Sequence, residues 1–339
     1  MESVLKSIAT SAYLDRVLFS PALKKLYFDM AVASGGVTQF KHVDGSRKGL
    51  SFAADKADDK KSILLFCAAH ELMYGYDLLI QIAAQMLPVV VLALRSGTPD
   101  YGADIWTPLH LRDVGWLQFY THTLQEAYDH LALAYHMNAA EGIRMPVVVL
   151  HSSLSHGCLG RFTPREDLDM GNPLTGLATT RFGKKMSLEE AIAKMKRKSE
   201  KATLRKTYEN IASHLRDLYA TLGYETPEKG LPTAGRIPDG DKAIISLIPA
   251  HSPEDADRIC RPLCYRPFAQ DSLIDKLKNK KVVAVVEPRP APGSTPVFRA
   301  EIGALLGEDF QGRILSHVFP PTVITLRGSD LDAVEEAMK

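Results

Sequence analysis

The sequence predicts an α/β protein: a doubly wound, mostly parallel sheet followed by a second, smaller α/β domain. Two observations predict this fold class. Short runs of branched apolar residues, such as "PVVVLAL" at 88–94 and "KVVAVVEP" at 281–288, are typical of strands covered on both faces. These runs alternate with segments of helical periodicity, which is the order of elements in a doubly wound sheet.

The first domain carries the clearest alternation. Strands are predicted at 62–68, 88–94, 115–121 and 145–151, with helices at 70–87 and 124–142. Thr123 and Glu126 are spaced as a capping box, which would start the second helix. The first helix is expected to turn one apolar stripe inward, formed by Leu72, Met73, Tyr76, Leu79, Ile80 and Ala83.

A long helical pattern at 187–222 separates the two domains. Ser187 and Glu190 form a second capping box, and Gly223 is a plausible C-cap. The stretch 194–206 holds seven basic residues. We interpret it as a solvated helix face, with a phosphate-rich ligand or an acidic partner as the alternative.

The alternation restarts after the Gly- and Pro-rich linker at 225–241. Strands are predicted at 242–250, 281–288 and 312–320, and helices at 272–281, 297–307 and 330–339. The resulting division is an N-terminal segment packed on the first domain, the first domain itself, a helical connector and the second domain, at 1–60, 61–160, 161–240 and 241–339.

Composition excludes several classes of function. The net charge of +1 over 339 residues gives no reason to expect nucleic acid as a partner. No apolar run reaches the roughly 18–20 residues of a membrane helix, and the N-terminus lacks a signal-peptide pattern, so we expect a cytoplasmic protein without a membrane span. The cysteines form no Cys-x-x-Cys pair, which argues against an iron–sulfur cluster held by this chain: Cys67, Cys158, Cys260 and Cys264.

Polar residues follow the predicted strands at the edge where open α/β sheets bind ligands. His70 and Glu71 follow the first strand, Arg95 the second, His122 the third, and His151, Ser152 and His156 the fourth. Each histidine could instead cap a helix or bond a loop carbonyl. No metal is expected, because the histidines lie on separate loops without tight ligand spacing. A nucleophile elbow, a P-loop and a GxGxxG turn are all missing from the sequence.

Arg95 is the most informative of these residues. A guanidinium at the end of a buried strand needs a partner, since an isolated buried charge is costly. Arginine suits bidentate recognition of a carboxylate or phosphate ligand. An internal ion pair is the alternative, because Asp100, Asp104 and Asp113 follow within 18 residues.

Several segments together resemble the α chain of 2-oxoacid:ferredoxin oxidoreductases, the pyruvate:ferredoxin oxidoreductase family. They are "ELMYGYDLLIQIAAQMLP" with "VVVLALR", then "HTLQEAYDHLALAYHMNAAEGIRMPVVVLHSSLSHG", and later "KTYENIASHLRDLYATLGY". The second domain follows with "YRPFAQDSLIDKLKNKKVVAVVEPRPAPGSTPVFRAEIGALL". The order of these segments carries the resemblance, which spans roughly 62–339.

The resemblance implies a thiamine-diphosphate-binding fold and a subunit of a larger enzyme. Thiamine diphosphate would lie between this chain and a β-type partner, and iron–sulfur clusters would lie on partner chains only. A 2-oxoacid such as pyruvate would be decarboxylated, its acyl group passing to coenzyme A and its electrons to ferredoxin in anaerobic metabolism. Arg95 would face the substrate carboxylate. The cofactor-adjacent residues would be His70, Glu71, His122, Ser152 and His156.

One departure from the family leaves two hypotheses open. The family has a glutamate upstream of the first matched strand that bonds the aminopyrimidine ring, whereas here no Glu occurs between Glu2 and Glu71. The acids nearest to that strand are Asp55, Asp58 and Asp59. The chain is either a working subunit with an altered site, in which His70 or Glu71 replaces the glutamate, or a non-catalytic α-type chain. A non-catalytic chain would assemble or stabilise such a complex, or bind a different ligand at the same pocket.

Overall fold

The structure is a computed structural model. It describes residues 14–19, 40–57, 62–95, 109–139, 145–152, 187–190, 192–193, 203–228, 230–290, 293–320 and 323–339. The described strands are β1 (Leu14–Phe19), β2 (Phe40–His42), β3 (Ser62–Ala68), β4 (Val89–Leu94), β5 (Leu117–Thr121), β6 (Val147–His151), β7 (Thr233–Gly235), β8 (Lys242–Ser246), β9 (Cys260–Pro262), β10 (Cys264–Arg266), β11 (Val282–Pro288) and β12 (Arg313–Phe319). The helices are α1 (Ser46–Lys56), α2 (Tyr76–Gln85), α3 (Leu124–Ala139), α4 (Thr203–Thr221), α5 (Pro253–Ala256), α6 (Gln270–Leu277), α7 (Val297–Leu306) and α8 (Gly328–Ala337).

Seven strands form the first sheet, in the order β10-β5-β6-β4-β3-β1-β2. Strands β2, β1, β3, β4, β6 and β5 run parallel, and β10 joins β5 antiparallel. All residues of β4, β5 and β6 are buried, as the uninterrupted apolar runs predict for strands covered on both faces. The predicted doubly wound α/β class is therefore confirmed.

The N-terminal segment contributes more than packing. The sequence predicts that this segment packs on the first domain. It instead supplies two strands of the sheet, β1 and β2, and the helix α1, which packs against β3. The division of the chain at 60, 160 and 240 stays a prediction.

The segment after β3 differs from the predicted helix over 70–87. It forms a 3₁₀ helix at Ala69–Gly75 and only then the α-helix α2. Met73, expected on the inward stripe, is 36% exposed, because the tighter turn rotates it away from the sheet. α2 ends at Met86 in the left-handed conformation, with φ 58°.

Both predicted helix starts and the predicted C-cap are present. The amide of Glu126 donates to Thr123 Oγ1 at 3.1 Å, and Ser187 and Glu190 cap each other reciprocally at 2.9 and 3.1 Å. Gly223 has φ 75°, and the Tyr224 amide donates to Tyr219 O across it. The side chains of the basic stretch 194–206 lie outside the described residues.

The second sheet has the order β12-β11-β8-β9-β7. β8, β11 and β12 are parallel, and β11 is buried throughout. A core cluster of buried side chains runs from the first sheet into the second, joining Phe119 and Leu131 to Ile245 and Val283. No helix among the described residues is long and apolar enough to cross a membrane.

Candidate functional site

Three polar residues stand side by side at the carboxyl edge of the first sheet. The register pairs Leu94 with His151 and His151 with Thr121. The next residues, Arg95, Ser152 and His122, therefore follow their strands at one level, on neighbouring strands roughly 4.8 Å apart. We call these three the edge row. The hydrogen bonds between the parallel strands extend to the edge row: Arg95 N–H donates to His151 O at 2.9 Å, and Ser152 N–H donates to Thr121 O at 3.0 Å.

Ser152 and His122 form a direct pair within the edge row. Ser152 Oγ lies 2.6 Å from His122 Nδ1, and the carbonyl of Ala250, in the segment after β8, bonds the same imidazole. Burial, reinforced by the charge of Arg261, lowers the pKa of His122 to about 4. The imidazole is therefore neutral at pH 7, so one ring nitrogen accepts while the other donates.

A buried ion pair between Arg261 and Glu126 fixes the backbone of His122. Arg261 of β9 donates from Nη2 to both Glu126 oxygens, at 2.7 and 2.9 Å, and from Nη1 to Tyr120 O at 2.8 Å. Glu126 Oε2 also accepts the His122 amide at 2.6 Å. Burial alone would raise the pKa of Glu126, but Arg261 and this amide together lower it. Arg261 of the second sheet thus fixes the backbone amide of His122 through Glu126.

Arg95 is 5% exposed and stands at the sheet edge as predicted. The proposed ion pair with Asp113 does not form, because the Asp113 carboxylate lies 3.3 Å from Arg112 Nε instead. Asp100 and Asp104 lie outside the described residues. The positive charge of Arg95 acts to lower the pKa of both Tyr120 and His122.

His151 belongs to the opposite face of the sheet, because successive side chains of a strand alternate. Its side chain is fully buried, with Nδ1 3.0 Å from Thr121 Oγ1. Burial lowers its pKa to about 3. The sequence predicts His151 at the ligand-binding edge, but its side chain is buried on the opposite face of the sheet.

The predicted residues after β3, His70 and Glu71, lie in the 3₁₀ turn, which begins at Ala69 next to Arg95 in the register. Glu71 is buried, and its Oε2 accepts the Ala68 amide at 2.9 Å, so the carboxylate caps its own turn. His70 is half-buried in the same turn. His156 lies outside the described residues.

Three relevant residues were not identified from the sequence. Asp44 is the second residue after β2, at the same carboxyl edge of the sheet; its side chain is 79% exposed, and its Oδ2 lies 3.4 Å from Lys48 Nζ. Arg261 and Tyr120 owe their roles to contacts across the fold. A strand assignment at 40–42 would have drawn attention to Asp44, whereas no local signal identifies the other two.

A cleft of about 410 Å³ opens between the two sheets, and His122 is the residue of the edge row that lines it. Its polar lining comes from His122, Glu126, Arg261 and His251, and Pro249 and Ile259 are among its apolar walls. No group of three or more potential metal ligands occurs among the described residues. The side chains of Cys67, Cys260 and Cys264 are buried, and no disulfide links them.

The fold and the edge define an α/β protein with a parallel sheet whose carboxyl edge carries a polar row, followed by a smaller α/β unit. Solved structures share this fold. A split-gene transketolase, described as an inactive β4 tetramer, matches 99% of this chain and 96% of its own, with a TM-score of 0.57 and 13% identity. A 2-oxoglutarate:ferredoxin oxidoreductase from Magnetococcus marinus matches 100% of this chain and 64% of its own, with a TM-score of 0.58 and 14% identity.

Curated relatives narrow the class. Pyruvate synthase subunit PorA of Thermotoga maritima is 30% identical over 137 residues, covering 39% of this chain and 35% of the relative. Ketoisovalerate oxidoreductase subunit VorA of Pyrococcus horikoshii is 33% identical over 94 residues, covering 26% of this chain and 23% of the relative. No protein-family model matches. The matches cover about a third or less of these relatives, and they confirm a divergent resemblance to α subunits of 2-oxoacid:ferredoxin oxidoreductases.

Proposed function

We propose that this chain is the α-type subunit of a 2-oxoacid:ferredoxin oxidoreductase-like complex. The complex would decarboxylate a 2-oxoacid oxidatively and transfer the acyl group to coenzyme A. Electrons would leave through iron–sulfur clusters on partner chains to ferredoxin. A β-type partner would share thiamine diphosphate with this chain. The cytoplasmic location and the role in anaerobic metabolism stay predictions from the sequence.

The edge row carries this proposal. It places a buried guanidinium next to a neutral Ser152–His122 pair at the edge where parallel sheets bind ligands. The planar fork of Arg95 can bind a carboxylate through two parallel hydrogen bonds. His122, fixed through its amide by Glu126, keeps the serine hydroxyl oriented. These residues bind and orient an oxoacid, and the apolar sheet beneath them excludes water.

Thiamine diphosphate, when bound, supplies the carbanion chemistry that removes the carboxyl group. Its aminopyrimidine needs a carboxylate from this chain. The described acidic residues differ in whether their carboxylates are already engaged in buried contacts. Glu71 is engaged with the Ala68 amide and Glu126 with Arg261. Asp44 follows the edge strand β2, and its only described ion pair, with Lys48, is solvent-exposed and therefore weak enough for a ligand or a partner chain to replace. Asp44 is therefore the residue that would hold the pyrimidine.

A second function is favoured by the capping role of Glu71. If no carboxylate of this chain reaches the pyrimidine, the chain is a structural α-type subunit. It would then assemble the complex without activating thiamine, and His70 and Glu71 would serve the turn after β3 alone.

Co-purification of the tagged full chain from its native source tests the proposal. We expect partner chains, bound thiamine and iron, and coenzyme-A-dependent reduction of ferredoxin with pyruvate or 2-oxoisovalerate. A chain recovered without partners, thiamine or iron would contradict the proposal.

Asp44→Asn separates the two functions within that complex. In a working subunit, the variant assembles but loses most oxoacid turnover and thiamine binding, since an amide lacks the proton-accepting carboxylate. Asp55→Asn, on the exposed face of α1, is the matched control and should leave both unchanged. Full turnover by Asp44→Asn would favour the structural subunit or another carboxylate.

A further inference from the structure

Tyr120 of β5 carries a hydroxyl without a hydrogen-bond partner. The residue is 6% exposed, and its hydroxyl is shielded from water and makes no hydrogen bond to any part of the chain that the structure describes. Leaving a buried hydroxyl unsatisfied costs about 1–3 kcal/mol. Because nearly all buried polar atoms in folded proteins are satisfied, this hydroxyl calls for an explanation.

The Tyr120 side chain has charged and polar neighbours on β10 and α7, but these neighbours bond one another. Glu301 of α7 accepts from Arg266 Nη2 at 2.6 Å and from the Tyr265 hydroxyl at 2.8 Å. Arg266 also donates to its neighbour's backbone, Tyr265 O, at 2.7 Å. The Tyr120 ring packs edge-to-face on Tyr265, with centroids 5.3 Å apart. This cluster therefore holds the ring in place but leaves the hydroxyl unused.

The Tyr120 side chain shares one face of the sheet with the edge row. Alternation along β5 puts Tyr120 on the same face as His122, and the register puts Arg95 on that face as well. The charge of Arg95 acts on the hydroxyl, whose pKa is raised by burial. The phenol thus stays protonated and remains a neutral donor beside the proposed carboxylate clamp.

We propose that Tyr120 is a specificity-determining residue whose hydroxyl donates a hydrogen bond to the 2-oxo oxygen of the substrate. Arg95 takes the carboxylate, and Tyr120 takes the neighbouring carbonyl, so the pair recognises the 2-oxoacid group rather than a simple carboxylate. The inference rests on the proposed function. A site built to hydrogen-bond one substrate oxygen discriminates strongly against an acid lacking that oxygen, because the buried donor is then left unpaired.

Tyr120→Phe tests this role in the complex purified through the tagged full chain. With pyruvate as substrate, we expect kcat/KM to fall by about tenfold or more, the scale of one lost hydrogen bond in a buried site. The unfolding midpoint of the free chain should stay unchanged or rise, because phenylalanine removes an unsatisfied hydroxyl and keeps the ring.

Tyr135→Phe is the matched control. The Tyr135 hydroxyl is also buried without a hydrogen-bond partner among the described residues, but it belongs to α3, and burial alone shifts its pKa. This variant should leave kcat/KM unchanged.

Unchanged kcat/KM for Tyr120→Phe overturns the inference while the proposed function stands. A loss of stability with unchanged kcat/KM also overturns it and assigns the hydroxyl to a structural water. A wild-type complex without turnover of pyruvate, 2-oxoisovalerate or 2-oxoglutarate contradicts the proposed function itself.

Discussion

The Glu126–Arg261 ion pair should be the most sensitive electrostatic contact between the two sheets, and Glu126→Gln removes its charge. The side chains of Arg261 and Glu126 are 7% and 15% exposed, and their closest atoms are 2.7 Å apart. Removing one partner of such a buried pair costs about 3–5 kcal/mol, because the other charge stays buried and uncompensated. The amide of His122 would also lose its carboxylate acceptor.

Guanidinium unfolding at pH 7 measures this loss. The control is Asp332→Asn, which breaks the Arg258–Asp332 pair of the same 2.7 Å distance, where Asp332 is 71% exposed. Exposed pairs contribute about 0–1 kcal/mol, so this variant should change the free energy of unfolding little. The double variant Glu126→Gln with Arg261→Met should recover part of the loss, since no unpaired charge remains. Equal effects of Glu126→Gln and Asp332→Asn would refute the reasoning.

The effect should also depend on pH. The folded-state pKa of Glu126 lies below its ordinary value of 4.5. The stability contributed by the carboxylate is therefore fully present above about pH 4.5 and is lost as the pH falls through the lower folded pKa. The difference between wild type and Glu126→Gln should narrow in that window.

Two further variants test other parts of the account. Burial lowers the pKa of His151 from 6.5 to about 3. Below about pH 6.5 the unfolded chain therefore binds a proton at this histidine while the folded chain does not, so the stability of the wild type should decrease as the pH falls. His151→Gln should flatten this dependence in unfolding experiments, and an unchanged slope would contradict the assignment. Gly235→Ala should destabilise the chain by more than about 1 kcal/mol, because φ is +72° and a Cβ would lie 2.1 Å from Ile259 O. Gly303→Ala, with its nearest contact at 3.9 Å, is the control and should be neutral or stabilising.

The longer elements of the fold could be predicted because they bury continuous apolar surface. The strand at 62–68 was predicted with its observed bounds, and the strand at 281–288 within one residue. The three-residue strands β9 and β10 were missed, since so short a segment shows no periodicity. The 3₁₀ turn at Ala69–Gly75 was missed because its apolar spacing also fits an α-helix.

Some residues of the candidate site could likewise be predicted from the sequence, and others could not. Arg95, His122 and Ser152 could be identified because each directly follows an apolar strand, and parallel strands end at one edge. Arg261 could not, since it lies 135 residues from Glu126 and 141 from Tyr120. The unused hydroxyl of Tyr120 is likewise a property of tertiary packing.

Oxoacid turnover by Arg95→Ala and Arg95→Lys complexes tests the central claim most directly. The claim is that the edge row binds the substrate carboxylate. We predict that both variants copurify with their partners in wild-type proportions. Arg95→Ala should abolish turnover, and Arg95→Lys should raise KM strongly, because lysine keeps the charge but lacks the bidentate fork. Wild-type turnover by an assembled Arg95→Ala complex would contradict the claim.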